Sequence, residues 1–210
     1  MREYEKKLHL DKHYEKMQFG NILQTFMPVF WTLLCYVILY LGLKYAQKYI
    51  LDIRPWVKFR EFFYIYQIPF CKMDVVYFLL GMLVTGYGSF RMTKITKENH
   101  SVREKDSDKP TSLLTDGYYA KVRHPMYGTF VLQGAGLFWS LRSFWGVLLA
   151  ITIFTFQHFN AYYEEQRILL PLFGEEYRNY IRKVRYMLFQ PWENAILILL
   201  LLMHIAGLII

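Results

Sequence analysis

The sequence predicts an all-α integral membrane bundle of about five transmembrane helices, with an amphipathic helix on the cytoplasmic side. Two observations carry that prediction. Apolar residues make up 54% of the 210-residue chain and aromatics 19%, and they gather into long charge-free runs that a soluble core does not need. Lys and Arg are also distributed unevenly about those runs.

The runs without Asp, Glu, Lys or Arg are Met17 to Leu43, Val75 to Phe90, His124 to Leu141, Ser143 to Tyr163 and Asn194 to Ile210. A spanning helix takes roughly 20 apolar residues. The second and last runs are slightly short and are expected to borrow flanking residues. Met1 to Lys16 is polar and charged, and the run after it is too long for a signal-peptide core, so the first helix is expected to remain as an anchor. Cys35 and Cys71 are too few and too isolated for a disulfide framework or a zinc site.

Basic residues accumulate on the cytoplasmic side of membrane proteins. With the N-terminus inside, segments 1–16, 91–123 and 164–186 are cytoplasmic and hold 18 of the 25 Lys and Arg. The net charge of +8 then reflects orientation and attraction to anionic lipid, and no nucleic-acid partner is expected. Residues 54–69 mix aromatics with charges and are expected along the outer interface. Arg142 and its neighbours join the third and fourth helices in a tight hairpin. The glycine pairs at 86 and 88 and at 134 and 136 are expected where helices pack closely.

Ionisable residues are expensive at membrane depth, so their clusters are candidate sites. The first cluster is Leu113 to Gly128. Asp116-Gly117 signals a turn, and Pro125 suits the first turn of a helix. Arg123 and His124 therefore stand at a helix start, where unpaired N–H groups and the dipole favour a carboxylate. The same residues also suit a snorkelling arginine and a capping histidine. In the second cluster, Gln157, Ala161 and Glu165 recur at i, i+4 and i+8 beside His158, leading into Glu164-Glu165. A carboxylate there can hold a cation such as a ligand ammonium, or simply mark the water boundary. Gly174 then breaks the helix, and Glu175 to Tyr186 reads as an amphipathic cytoplasmic helix, either a lid or a surface anchor. No metal-ligand cluster and no nucleotide-binding glycine loop is present in the sequence.

Three elements in order resemble the isoprenylcysteine carboxyl methyltransferase and phospholipid methyltransferase superfamily. They are Gly117-x-Tyr119-x-x-x-Arg123-His124-Pro125-x-Tyr127, then Glu164-Glu165, then Phe173-Gly174-Glu175-Glu176-Tyr177-x-x-Tyr180-x-x-x-Val184. The resemblance runs from about residue 100 to 186. It implies a single membrane methyltransferase domain over 1–210, with N-terminal helices in 1–90, a cofactor-binding and catalytic region in 91–186 and a C-terminal membrane helix in 187–210. It implies S-adenosylmethionine as cofactor. Thr111, Ser112, Leu113 and Leu114 would contact the adenosine. Tyr119, His124, Pro125, Met126 and Tyr127 would line the methionine end, and Glu165 would bind the cofactor from the fourth helix. Arg123, His124 and Glu165 are the catalytic candidates, acting by binding and orientation.

Two departures bear on the acceptor. Isoprenylcysteine members tend to carry an arginine one turn before the cofactor glutamate, where Ala161 stands here, and a hydrophobic helix follows the amphipathic segment where many relatives end. A lipidic acceptor arriving from the bilayer is expected, a prenylcysteine carboxylate in the first place, with a phospholipid amine as the alternative and a small thiol as a further candidate. The rival classes are a sterol-reductase relative using a nicotinamide cofactor and a non-enzymatic lipid-binding protein. The expected membrane is the plasma membrane in a prokaryote or the endoplasmic reticulum in a eukaryote. Labelling of single introduced cysteines checks the topology. A cysteine replacing Ile210 is expected to react only from the outer side, and reaction from the cytoplasm contradicts this orientation.

Overall fold

The computed structural model describes residues 26–59, 61–65, 68–100 and 112–210. The polar N-terminal segment 1–16 and residues 101–111 of the charged stretch before the first cluster lie outside them. Among the described residues, the regular elements are helical apart from one hairpin. Helix α1 spans Phe26–Tyr49 and α2 spans Lys72–His100. Between them, β1 (Glu61–Ile65) pairs antiparallel with β2 (Ile68–Cys71). Helix α3 is Pro125–Ser140 and α4 is Phe144–Glu164. A π-helical turn, Glu165–Leu169, continues α4 into the short α5, Leu170–Phe173. Helix α6 is Glu175–Lys183 and α7 is Pro191–Ile209.

Four of these helices are long and apolar enough to cross a membrane: α1, α2, α4 with its continuation, and α7. Their outward residues are apolar and exposed, including Ile38, Leu83, Phe156 and Leu199. A soluble protein would cover such a surface, whereas hydrocarbon solvates it. The fifth expected span behaves differently. Helix α3 has 16 residues, which gives about 24 Å at 1.5 Å per residue, short of the roughly 30 Å hydrocarbon core. Pro125 starts it, and Arg142 stops it by turning inward with φ of +52°. Much of α3 is buried between α2 and α4, with Val131, Leu132 and Trp139 in the core.

Small residues let α2 and α3 touch backbone to backbone. A Cβ at Gly81 would strike the Gly136 carbonyl, and one at Gly136 would strike Thr85 Oγ1. The α3–α4 turn closes as tightly. A Cβ at Gly146 would collide with the Phe138 carbonyl, and Ser143 Oγ caps α4 by accepting the Gly146 amide at 3.2 Å.

Beside that turn lies a buried ion cluster. Asp74, in the first turn of α2, accepts the Cys71 amide at 2.9 Å, Lys44 Nζ at 2.5 Å and Arg142 Nε at 2.9 Å. Arg142 Nη1 also donates to the Pro55 carbonyl at 2.7 Å. One carboxylate thus ties together α1, α2, the α3–α4 turn and the segment before the hairpin. Within the stretch 54–69 expected along the outer interface, part of the chain forms this hairpin. Phe63 stacks on Phe70 with centroids 5.0 Å apart, and the aromatic and β-branched residues suit paired strands. Pro69 is tolerated because a two-stranded sheet has only edges.

Removing one member of a buried cluster leaves the others uncompensated, at a cost of about 3–5 kcal/mol. Asp74→Ala is therefore expected to lower the unfolding midpoint of the purified protein sharply. A midpoint equal to the wild type would show that Lys44 and Arg142 do not depend on this carboxylate.

Candidate functional site

At the opposite end of α3, two segments far apart in sequence close on each other. Residues 117–121 form a turn, and the backbone N–H groups of Arg123 and His124 donate to the carbonyls of Tyr186 and Met187 at 2.9 and 2.8 Å. Pro125 then begins α3 with no donor to lose. The His124 side chain makes no capping hydrogen bond, so the capping role open from the sequence is not the one it fills. It turns instead toward the end of α4. Its Nε2 lies 3.0 Å from Glu165 Oε1 and its Nδ1 lies 3.3 Å from Glu164 Oε2. Arg123 Nη1 lies 3.3 Å from Glu165 Oε1.

Consecutive residues of an α-helix point about 100° apart. Here the α-helix gives way to a π turn between Glu164 and Glu165, and both carboxylates reach the same imidazole. With an acceptor at each ring nitrogen, the doubly protonated form is the one that satisfies both contacts. Burial pushes the His124 pKa down, but the hydrogen bonds and charges of Glu164 and Glu165 outweigh it and raise it above the ordinary value.

These segments enclose a cavity of about 270 Å³. Ser112, Leu113, Leu114 and Tyr119 form one wall, and Arg123, His124, Met126, Tyr127 and Phe130 a second. Glu164, Ile168, Leu169 and Phe173 come from the α4–α5 side, and Tyr177 and Tyr180 from α6. The amphipathic helix expected near 175–186 thus covers the cavity. Gly174, with φ of +52°, makes the sharp turn that folds it back, a conformation open to glycine at little cost. Tyr180 Oη donates to the Tyr119 carbonyl at 2.7 Å, tying α6 to the first segment. The Tyr177 hydroxyl is buried without a hydrogen-bond partner among the described residues. Burial, reinforced by the nearby Glu165 charge, raises its pKa.

Eight residues expected from the sequence meet around the cavity: Ser112, Leu113, Leu114, Tyr119, Arg123, His124, Met126 and Tyr127. Thr111 lies outside the described residues. Pro125 is buried at the start of α3 and sets the direction of its neighbours. Glu165 is 4% exposed and sits behind the wall with Arg123 and His124, while Glu164, one-third exposed, lines the cavity. The proposed polar stripe on α4 does not assemble there. Ala161 is buried against Leu132 and Leu188 in the core, and the Gln157 amide accepts from Asn160 at 3.2 Å. Phe130, Ile168 and Leu169 were not among the expected site residues. Their only signal is their place one turn from Met126 and Glu164-Glu165, and apolar residues of that kind fill every membrane helix here.

The cavity therefore gathers the residues through which the sequence resembles the membrane methyltransferases. No protein-family model matches the chain, and no solved structure matches it significantly. Among curated proteins, Methanethiol S-methyltransferase 1 of Bradyrhizobium diazoefficiens is 29% identical over 123 residues. That match covers 58% of this chain and 40% of the other protein's length. The relative is a member of the isoprenylcysteine carboxyl methyltransferase-like family, and the resemblance drawn from the sequence is borne out through this distant homologue.

A histidine whose folded pKa is raised contributes stability that is fully present below its unfolded value of about 6.5 and is lost as pH rises through the folded value. The His124 imidazole resonances are expected to titrate above that ordinary value, and Glu164→Gln is expected to bring the midpoint down. An ordinary midpoint in the wild type would contradict the double contact.

Proposed function

We propose that the chain is a membrane methyltransferase that holds S-adenosylmethionine in this cavity and methylates an apolar acceptor arriving from the bilayer. The observation that carries the reading is a carboxylate, two cationic side chains and several aromatic rings around one buried space. S-adenosylmethionine presents an ammonium, a carboxylate and a sulfonium, and the residues present fit all three. Glu164 can meet the ammonium. Arg123 and the start of α3 can meet the carboxylate, since Arg123 Nε is buried without a partner among the described residues. Tyr119, Tyr127 and Phe130 offer ring faces suited to a sulfonium. Ser112, Leu113 and Leu114 supply the apolar wall that the resemblance assigns to the adenosine.

When bound, this cofactor supplies a methyl group already activated by the positive sulfur. The chain's own residues then have three tasks. Glu164 and Arg123 fix the position of the donor, which gives the alignment an in-line displacement requires. Glu165 fixes Arg123 and His124. Helix α6, through Tyr177 and Tyr180, excludes water. No strong base is needed for a carboxylate, a thiolate or a free amine.

Phe130 and Ile168 both line the cavity and are both exposed on the outer surface. They support an apolar mouth between α3 and the π turn, through which a lipid tail or a small apolar molecule can enter. Ala161 bears on the acceptor's head. Its position is wholly buried in a core cluster, so an arginine there would have to displace packed side chains. Of the nearby cations, Lys121 lies over the Tyr118 ring, Arg167 lines a different surface depression, and Arg123 is assigned to the carboxylate of the donor. This arrangement favours a phospholipid amine or a thiol over a prenylcysteine carboxylate, whose partner would be missing.

Calorimetric titration with S-adenosylmethionine is expected to show binding to the wild type. Loss of a charge-assisted contact in Glu164→Gln is expected to weaken it about tenfold. Unchanged affinity in both Glu164→Gln and His124→Ala would contradict the site. With labelled cofactor, phosphatidylethanolamine or a small thiol is expected to accept label in preference to a farnesylated cysteine analogue. Preference for the farnesylated acceptor would contradict the reading of Ala161.

A further inference from the structure

The carboxy-terminal helix lies beyond the residues that carry the family resemblance, yet its first turn is linked to the site through the strip that precedes it. The strip between α6 and α7 accepts the amides of Arg123 and His124 on its Tyr186 and Met187 carbonyls. The next carbonyl, Leu188, accepts Arg91 Nη2 at 3.0 Å. Gly128 makes that approach possible, because a Cβ there would strike the Leu188 carbonyl. Arg91 Nη1 in turn lies 2.6 Å from Glu193 Oε1, and both side chains are wholly buried. Glu193 accepts Tyr87 Oη at 2.7 Å on the same oxygen and the Gln190 amide at 2.7 Å on the other.

We infer that Glu193 and Arg91 are positioning residues for the cofactor-binding segment. The pair fixes strip 186–190 against α2 and α3, and the strip fixes the backbone of Arg123 and His124. A general argument and one observation separate this role from simple stabilisation. A buried ion pair loses in desolvation much of what it gains in attraction, so it is a weak device for stability alone. Its remaining hydrogen bonds also converge on the strip, one member holding the Leu188 carbonyl and the other the Gln190 amide. The inference rests on the proposed reading of the cavity as a methyl-donor site.

Glu193→Gln in the full chain, purified in lipid nanodiscs, tests it with two readouts. Amide hydrogen exchange at Arg123 and His124 is expected to quicken about tenfold, while the buried middle of α3 exchanges as before. Calorimetric titration with S-adenosylmethionine is expected to show about tenfold weaker affinity with the number of sites per chain unchanged. A merely structural role would lower the number of competent sites or the melting temperature, leave affinity and local exchange alone, and so overturn the inference. Tyr87→Phe, which removes one hydroxyl, is expected to shift both readouts the same way by a smaller factor, and it carries the test if Glu193→Gln does not fold. If the wild type takes up no S-adenosylmethionine, the functional reading falls, and the exchange measurement alone decides the positioning role.

Discussion

The Glu165 carboxylate meets Arg123 and His124, residues 42 and 41 positions earlier in the chain. Without it, two potential cations would sit at a helix start with one counter-charge between them. Buried charges of that kind are costly unless paired. The contact draws the end of α4 against the start of α3 and so sets the width of the cavity. Because the chain passes from α to π geometry at this point, Glu164 joins Glu165 at the imidazole. A regular helix would send one of the two elsewhere. A local irregularity at a site is often retained for such a reason.

The rest of the fold holds that contact in register. Asp74 gathers Lys44 and Arg142 at one end of the bundle, and Arg91 with Glu193 does the same for α2 and α7 near the other. Between these poles, Gly81 and Gly136 bring α2 and α3 together without large side chains. Association in a membrane gains little from hydrophobic burial, so close packing carries much of it, and the buried polar contacts fix its register. The consequence is a short, enclosed α3 with the cavity at its N-terminus and apolar faces turned to lipid.

Much of this was legible in the sequence. Charge-free runs located each long helix among the described residues, Gly174 marked the turn before α6, and Pro125 marked the start of α3. The run 124–141 was read as a span because hydropathy counts apolar residues alike, whether lipid or neighbouring helices surround them. The strands at 61–71 were missed because their aromatics equally suit an interface. The Arg-His and Glu-Glu pairs were visible as ionisable residues at membrane boundaries, but their mutual contact was not, since it depends on the crossing of α3 and α4 and on the π turn. The same holds for Arg91 and Glu193. Each looks like an ordinary boundary charge until α2 and α7 are placed side by side.

The account stands on the cavity between Arg123-His124 and Glu164-Glu165 being the place where a methyl donor binds. Ultraviolet crosslinking of the wild-type protein with radiolabelled S-adenosylmethionine, followed by peptide mapping, tests this directly, because several tyrosines line the cavity. Label on the peptides containing Tyr119–Tyr127 or Tyr177–Tyr180, displaced by excess unlabelled cofactor, is the predicted result. Displaceable label confined to peptides outside the cavity would contradict it.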